Sequence, residues 1–444
     1  MKRDLPLLAV FFLSMLIVLT GCLEQEFKFK ECVLSNGLRV LTKEIKDTDV
    51  VVLDIYVGVG SADENEENNG ISHFIEHMLF KGTSKRKPGE ASWLIESVGG
   101  HWNGVTSRDF THYYVVVPKR SFDPALECLA DLIMNPLFDE SELARERLVV
   151  LEEIKRSQDN PTSELWSLVY RTTFKSHPYR LPILGSEEVV EKIKRQEMLD
   201  WYHTHYVPNN MTLVICGDFK KREILSKVRE AFSGFRARSL PQKGRASEPL
   251  KGKMELVTEK RDISRTYMAI SFSAPGIKSP RDVYTTDVLL YLLGRGRGSR
   301  LHQAIREQKQ LASHIDASFL TQREPGIFII HAIGDYKKTD KLTEAIIHEI
   351  EKLRDGLVST EELHRAKSLL TSEYVFGNET ALDLASTIGF YDAIAGSLDF
   401  VRTYLDKIKQ VTPEDISRVA RKYFNTENYT TVLLKPRTTT ALSR

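Results

Sequence analysis

The chain has 444 residues, 41% of them hydrophobic, and its 62 Lys and Arg residues balance 61 Asp and Glu residues. Balanced charge gives no indication of a nucleic-acid partner. The length exceeds what one hydrophobic core normally supports, so at least two domains are expected. Beyond Cys22, the only cysteines are Cys32, Cys128 and Cys216. Their spacing excludes a disulfide framework and a Cys-x-x-Cys metal site; we interpret them as small buried hydrophobes that allow one disulfide in an oxidising compartment.

The first 21 residues are predicted to be a targeting signal and not part of the fold. Lys2 and Arg3 precede an apolar run from Leu5 to Leu19, which is short for a membrane span. The run leads into Leu-Thr-Gly-Cys22, which resembles a bacterial lipobox, so we expect cleavage before Cys22 and lipidation of that residue. Acyl chains would then anchor the protein to a bacterial membrane outside the cytoplasm, on the periplasmic face of the outer membrane in a Gram-negative source. An uncleaved anchor or a plain secretion signal is the alternative.

The next segment is predicted to be a sheet. Phe27 to Leu34 and Leu38 to Glu44 are strands joined by Ser35-Asn36-Gly37, a sequence typical of a tight hairpin turn. Val50 to Val59 is a third, apolar strand. The acidic run from Asp63 to Glu67 is interpreted as a solvated loop that leads to the next motif.

A candidate metal site follows, in the pattern His73-Phe-Ile-Glu76-His77. On a helix, His73 and His77 lie one turn apart on one face and can bind one tetrahedral metal ion, typically zinc. The carboxylate of Glu76 can reach a water on that metal. The order H-x-x-E-H reverses the more common H-E-x-x-H and is a metallopeptidase arrangement. An ordinary amphipathic helix whose histidines face solvent is the alternative.

A catalytic zinc site needs a third protein ligand, and a carboxylate commonly completes a pair of histidines. The segment from Asp139 to Ile154 is predicted to be one long helix, on which Glu146 and Glu153 are seven positions apart and share a face. Glu152 points elsewhere. A carboxylate pair on one face suits one ligand and one residue that orients the ligands.

These residues carry a family resemblance. The segment G-x-x-H-F-x-E-H-M-L-F-K-G-T, with a glutamate 76 positions after His77, resembles the insulinase/pitrilysin family of zinc peptidases. Within that family it is most similar to the branch of chains of about this length that includes the mitochondrial processing peptidases, from about Phe27 to Pro436. The resemblance implies an α+β fold of two homologous domains, each a mixed, mostly antiparallel sheet with helices packed on it.

The resemblance also implies roles for the motif residues. One zinc ion per chain would be bound by His73, His77 and Glu153. Glu76 would be the general base acting on a zinc-bound water, and Glu146 would orient the ligands. If Glu153 is not a ligand, Glu152 is the next candidate.

The segment from His101 to Val117 ends in β-branched and aromatic residues typical of a strand. Its early part resembles the family's G-G-x-x-N-A-x-T, an edge strand beside the zinc to which the substrate adds as a further strand. The resemblance implies that Asn103 binds a substrate backbone group near the scissile bond; a turn-capping side chain is the alternative. Gly104 replaces the usual alanine and allows close backbone approach.

A weak internal repeat indicates a duplication. The segment from Lys192 to Val214 matches the segment from Lys407 to Val432, and each is predicted to be two helices followed by an apolar strand. We therefore expect an N-terminal zinc-binding domain over 22–235, a basic, turn-rich linker over 236–254 and a homologous domain over 255–444. The second copy has no H-x-x-E-H, so only the first half is expected to bind metal.

The second half departs from the family at one position. Leu293 to Ser313 resembles the family's G-G-G-x-x-S-R-L-x-x-x-x-R-E-x-x-x-L-A-Y. Arg306 keeps the arginine that contacts substrate in the family, but Ser313 replaces the tyrosine that can stabilise the developing oxyanion. Arg295 and Arg297 interrupt the glycines, which disfavours a nucleotide-binding loop. Because Ser313 replaces the tyrosine, we expect a heterodimer in which a homologous chain supplies the Arg/Tyr pair, with a homodimer as the alternative.

Together these patterns predict a lipid-anchored zinc endopeptidase that cleaves peptides or unfolded polypeptide segments. Two other classes are the alternatives, a non-catalytic binding or assembly subunit and a structural zinc protein. The intact metal and base residues disfavour the first. A general base beside the metal disfavours the second, because structural zinc sites have four protein ligands and no open position.

Overall fold

The computed structural model describes residues 29–241, 244, 248 and 253–437. The predicted signal segment, Cys22 and part of the predicted linker lie outside the described residues. Within these ranges, no helix is both long and apolar enough to cross a membrane.

The first half of the chain forms six strands and eight helices among the described residues. The strands are β1 (Lys30–Val33), β2 (Arg39–Glu44), β3 (Val50–Val57), β4 (His101–Thr106), β5 (Thr111–Pro118) and β6 (Met211–Gly217). The helices are α1 (Ile71–Leu79), α2 (Glu90–Glu96), α3 (Phe122–Met134), α4 (Glu140–Asp159), α5 (Pro161–Thr173), α6 (Glu187–Val190), α7 (Arg195–His205) and α8 (Lys221–Ala231).

The second half has a similar composition, with five strands and six helices among its described residues. Its strands are β7 (Glu255–Arg261), β8 (Thr266–Ala274), β9 (Ala312–Leu320), β10 (Gly326–Gly334) and β11 (Thr430–Pro436). Its helices are α9 (Pro280–Leu293), α10 (Thr339–Asp355), α11 (Thr360–Phe376), α12 (Ala381–Ala395), α13 (Asp399–Gln410) and α14 (Pro413–Tyr423). A π-helical turn, His302–Gln308, precedes β9.

The two sheets have the same topology. The first has the order β1-β2-β6-β3-β5-β4 and the second the order β7-β11-β8-β10-β9. In each, one pair is parallel, β2 with β6 and β7 with β11, and the other pairs are antiparallel. The second sheet therefore reproduces five strands of the first, which confirms the predicted α+β fold of two homologous domains.

Local sequence signals explain where the helices that carry the site begin. The carboxylate of Asp139 accepts hydrogen bonds from the backbone N–H groups of Ser141 and Glu142 and caps α4. Asn160 caps α5 in the same way, and Pro161 is the first residue of that helix. The Asp-Asn-Pro segment therefore ends one helix and begins the next.

Each sheet is covered on one face by a helix from the other half. Helix α5 of the first half packs on β8 and β11, and helix α12 of the second half packs on β3 and β6. The approach of α12 is so close that a Cβ atom at Gly389 would lie 2.0 Å from Cε2 of Tyr56. Only glycine fits there, so the sequence of α12 is matched to the sheet of the opposite half.

The three described cysteines are all free thiols, so the disulfide that the sequence allowed is not formed. Cys128 and Cys216 are buried, as predicted, and burial raises the pKa of the Cys128 thiol to about 11. Cys32 is only partly buried, because it lies on the short β1 strand at the edge of its sheet.

Candidate active site

Helix α1 carries the H-x-x-E-H motif and is fixed at its start by a buried acid. The carboxylate of Glu64 accepts hydrogen bonds from the backbone N–H groups of Gly70, at 2.7 Å, and Ser72, at 2.9 Å. Burial raises the pKa of Glu64 to about 7, although these hydrogen bonds oppose the shift. The prediction of a solvated loop over Asp63 to Glu67 is therefore wrong for Glu64, because the free N–H groups at a helix start attract a carboxylate.

The structure brings the three predicted metal ligands together. Nε2 of His73 lies 3.2 Å from Nε2 of His77, and Oε2 of Glu153 lies 3.6 Å and 3.4 Å from those two atoms. Ligand atoms about 2.05 Å from a tetrahedral zinc ion are about 3.4 Å apart, so this donor set fits zinc. Among the described residues it is the one group that could hold a metal ion. His73 is 7% exposed, which excludes the alternative of solvent-facing histidines.

Two residues hold His77 in the orientation that metal binding needs. Nδ1 of His77 donates to Oε1 of Glu146 at 2.9 Å, and Nζ of Lys81 donates to Oε2 of Glu146 at 2.7 Å. Burial favours the protonated carboxyl, but these two partners prevail and lower the pKa of Glu146. With its proton on Nδ1, His77 presents the lone pair of Nε2 to a metal. Glu146 lies where the sequence placed it; the role of Lys81 was not predicted.

His73 has a different environment. Its Nδ1 is buried and has no hydrogen-bond partner among the residues that the structure describes. Burial, aided by the neighbouring His77, lowers the pKa of His73 to about 3. His73 is therefore neutral at ordinary pH, which is the form that binds a metal.

Glu76 faces the edge strand β4. It is 8% exposed, and its Oε2 accepts a hydrogen bond of 2.6 Å from the hydroxyl of Thr106. Burial raises the pKa of Glu76, and the hydrogen bond from Thr106 opposes the shift. A Cβ atom at Gly104 would lie 2.8 Å from Cγ of Glu76. The close contact observed at Gly104 is therefore with the side chain of the predicted base, and substrate binding at Gly104 stays a prediction.

Strand β4 is an edge strand of the first sheet, as the resemblance implied. Asn103 lies in the middle of β4 opposite Tyr114 and is exposed. A residue inside a strand does not cap a turn, so that alternative is excluded. Alternation along the strand puts its side chain on the face opposite to Gly104 and Thr106. Substrate binding by Asn103 stays a prediction.

The predicted residues of the second half do not contact this cluster. Arg306 lies in the π-helical turn, where Nη1 is 3.3 Å from Nε2 of His302, and it lines a cavity of about 460 Å³. Ser313 is the second residue of β9, and its hydroxyl donates to the carbonyl of Ile333 at 3.0 Å. Glu152, the substitute ligand, is exposed and pairs with Arg156 at 3.5 Å.

Two family models match the chain. The model of insulinase, peptidase family M16, matches residues 39–187. The model of the peptidase M16 inactive domain matches residues 192–370. The two matches follow one another along the chain, and the residues of the metal cluster all lie in the first.

Individual proteins and structures give the same result. An uncharacterized zinc protease of Rickettsia felis is 32% identical over 396 residues, which are 88% of this chain and 94% of that protein. A probable mitochondrial-processing peptidase subunit beta of Arabidopsis thaliana is 28% identical over 88% of this chain and 75% of that protein. The crystal structure of a protease from Helicobacter pylori matches with a TM-score of 0.88 and 26% identity, covering 92% of this chain and 99% of that chain. The chain therefore belongs to the insulinase family of peptidases, M16.

Proposed function

We propose that this chain is a zinc-dependent metalloendopeptidase that cleaves peptides or unfolded polypeptide segments. The observation that carries the proposal is the position of Glu76, whose buried carboxylate interacts electrostatically with the ligands His77 and Glu153 and is hydrogen-bonded to the edge strand β4. A structural zinc site has no use for such a carboxylate. A binding or assembly subunit needs no general base beside a metal site.

The side chains have separate tasks in the proposed reaction. His73, His77 and Glu153 would hold zinc, which when bound polarises a peptide carbonyl and lowers the pKa of a water. Glu76 accepts the proton of the attacking water and delivers it to the departing amine, so that one carboxylate serves both halves of the hydrolysis. Glu146 fixes the tautomer of His77. The substrate backbone pairs with β4, which reads main chain more than side chain.

The test compares zinc content and peptide cleavage in wild type and Glu76→Gln. We expect Glu76→Gln to keep stoichiometric zinc and to lose about 10²- to 10⁴-fold in turnover, the usual contribution of general acid–base catalysis. Zinc binding without cleavage in wild type would favour the binding or assembly subunit. Equal cleavage by the two proteins would remove Glu76 from the mechanism.

We also propose that a homologous chain completes the site. The second half offers Arg306 but has Ser313 in place of the family's tyrosine, and the Ser313 hydroxyl is engaged with the carbonyl of Ile333. Loss of one oxyanion donor typically costs about 10²- to 10³-fold in rate. The test assays the purified chain on unfolded peptides with and without a homologous chain that carries Arg and Tyr. Full activity of the lone chain, unchanged by the addition, would contradict the heterodimer and favour a homodimer.

Attachment to a membrane through Cys22 is a separate proposal, supported by the Leu-Thr-Gly-Cys segment alone. Cys22→Ala should block fatty-acid labelling and leave peptide cleavage by the purified protein unchanged. Equal labelling of wild type and Cys22→Ala would contradict it.

A further inference from the structure

We infer that β4 positions the proposed general base. Thr106 and Gly104 together fix the rotamer of Glu76, so that one carboxylate oxygen accepts a hydrogen bond from β4 and the other accepts the proton of the water. The inference rests on the proposed function for its catalytic consequence, but its structural content is independent of it. Thr106 is a positioning residue, since it acts on the reaction through Glu76.

The first observation is the hydrogen bond between Thr106 and Glu76. At 2.6 Å, with both residues less than a tenth exposed, it is a short bond from a hydroxyl to an acid in a water-poor environment. Hydrogen bonds to ionised groups are about twice as strong as neutral ones. Thr106 also pairs with Thr111 in the sheet, so the backbone that carries this hydroxyl is held in place.

The second observation is the space beside Gly104. A Cβ atom there would lie 2.8 Å from Cγ of Glu76, 3.0 Å from its Oε1 and 3.0 Å from Cε2 of Phe80. An alanine, the residue that the family usually has here, would therefore require the middle of the Glu76 side chain to shift while Oε2 stays bound to Thr106. The glycine lets the observed rotamer approach the strand.

The two contacts give the oxygens of Glu76 different roles. Oε2 accepts from the Thr106 hydroxyl, and the backbone N–H of Thr106 also stabilises the carboxylate, whereas no described side chain donates a hydrogen bond to Oε1. Oε1 is therefore the oxygen that accepts the proton from water. Rotation of the carboxylate would exchange the two oxygens, and the hydrogen bond from Thr106 opposes that rotation.

The test measures kcat, KM and zinc content of Thr106→Val, Thr106→Ser and Gly104→Ala on an unfolded peptide. We expect Thr106→Val to lower kcat about 10- to 100-fold, less than loss of the base itself, with KM and zinc content unchanged. Thr106→Ser keeps the hydroxyl and should restore most of kcat. Gly104→Ala, which introduces the family's usual residue, should lower kcat less than Thr106→Val does, with zinc content unchanged. In the Glu76→Gln background, Thr106→Val should cause no further loss, because its effect passes through Glu76.

Thr111→Val is the matched control. Thr111, like Thr106, is buried; it lies on the neighbouring strand β5, and its hydroxyl donates to the carbonyl of Val59. This variant should lose stability and keep kcat; a kcat loss equal to that of Thr106→Val would overturn the inference. If zinc-loaded wild type cleaves no peptide, the proposed function fails. Crystal structures of wild type and Thr106→Val then test the positioning of Glu76 by itself. An unmoved Glu76 carboxylate in Thr106→Val would overturn the inference, and a displaced one would support it.

Discussion

The two halves of the molecule share a strand order and differ in the helix that follows β3 in the first half and β8 in the second. In the first half this helix is α1, where imidazole and carboxylate groups converge and no Lys or Arg of the described residues pairs with the carboxylate of Glu76. In the second half it is α9, whose buried Asp282 accepts from Arg418 at 2.6 Å, Lys422 at 2.7 Å and Tyr423 at 2.9 Å.

The difference shows that the scaffold does not by itself produce the chemistry. Buried polar groups whose charge is balanced contribute to folding, whereas groups left partly unbalanced are available to a metal or a substrate. His73 illustrates the second kind, with a buried Nδ1 that has no partner within the described part of the chain.

The largest effect should come from removing a ligand, which makes the first half resemble the second. His73→Ala, His77→Ala and Glu153→Ala should each lose zinc and all measurable cleavage, because two ligands do not complete the site. Zinc content by atomic absorption and cleavage of an unfolded peptide check this. Glu152→Ala is the matched control on the same helix and should keep both. Full occupancy in Glu153→Ala would transfer the ligand role to another carboxylate.

Glu146→Ala should have a smaller effect. His77 would keep its place on α1 but lose the acceptor that fixes its tautomer, and loss of such a partner typically costs about 10- to 100-fold in metal affinity or activity. Competition with a zinc chelator measures the affinity. Wild-type affinity and activity in Glu146→Ala would show that α1 alone orients His77.

Lys81→Met should reduce zinc affinity less than Glu146→Ala does. The side chain of Lys81 is 32% exposed, and a partly exposed ion pair contributes up to about 1 kcal/mol, or about fivefold in zinc affinity. The same chelator competition checks it. A loss as large as that of Glu146→Ala would mean that Glu146 needs the lysine to stay ionised.

Asp282→Asn should leave zinc content and kcat unchanged and reduce stability instead. Burial favours the neutral acid, but its hydrogen-bonding partners prevail and lower the pKa of Asp282 below the ordinary 3.8. The ionised form therefore stabilises the fold above about pH 4, and this contribution disappears as the pH falls through the lowered pKa. Thermal unfolding of wild type and Asp282→Asn should differ at pH 7 and converge in acid. Asp406→Asn, at an acid 72% exposed, is the control and should not differ from wild type.

The sequence predicted the parts of the site that depend on helical periodicity. His73 and His77 one turn apart, and Glu146 and Glu153 seven positions apart, could be placed on shared faces without any knowledge of the fold. Thr106 and Lys81 could not be assigned roles in this way. Each acts on a residue of another element, Thr106 across the contact of β4 with α1, and Lys81 across the contact of α1 with α4. The burial of Glu64 was missed because its charge resembled that of its solvated neighbours.

The fold of each half was predictable from local sequence patterns. The packing of a helix from each half on the sheet of the other half was not. Alternating apolar residues and the Asn-Gly turn indicate strands, and the weak repeat indicates two copies. Nothing in the local pattern of α5 or α12 says which sheet each one covers. Gly389 is a signal only once Tyr56 is known to lie beneath it.

The position of α12 has a consequence for synthesis on the ribosome. The chain emerges from its amino end, and the face of the first sheet that carries Leu41, Val52 and Val214 is covered by Ala381–Ala395. The metal-binding side of that sheet can pack once residue 232 has emerged, but the opposite side must wait until translation has passed residue 395. A nascent chain halted before that point displays an apolar surface, which is the kind of surface that chaperones bind and that aggregates form from.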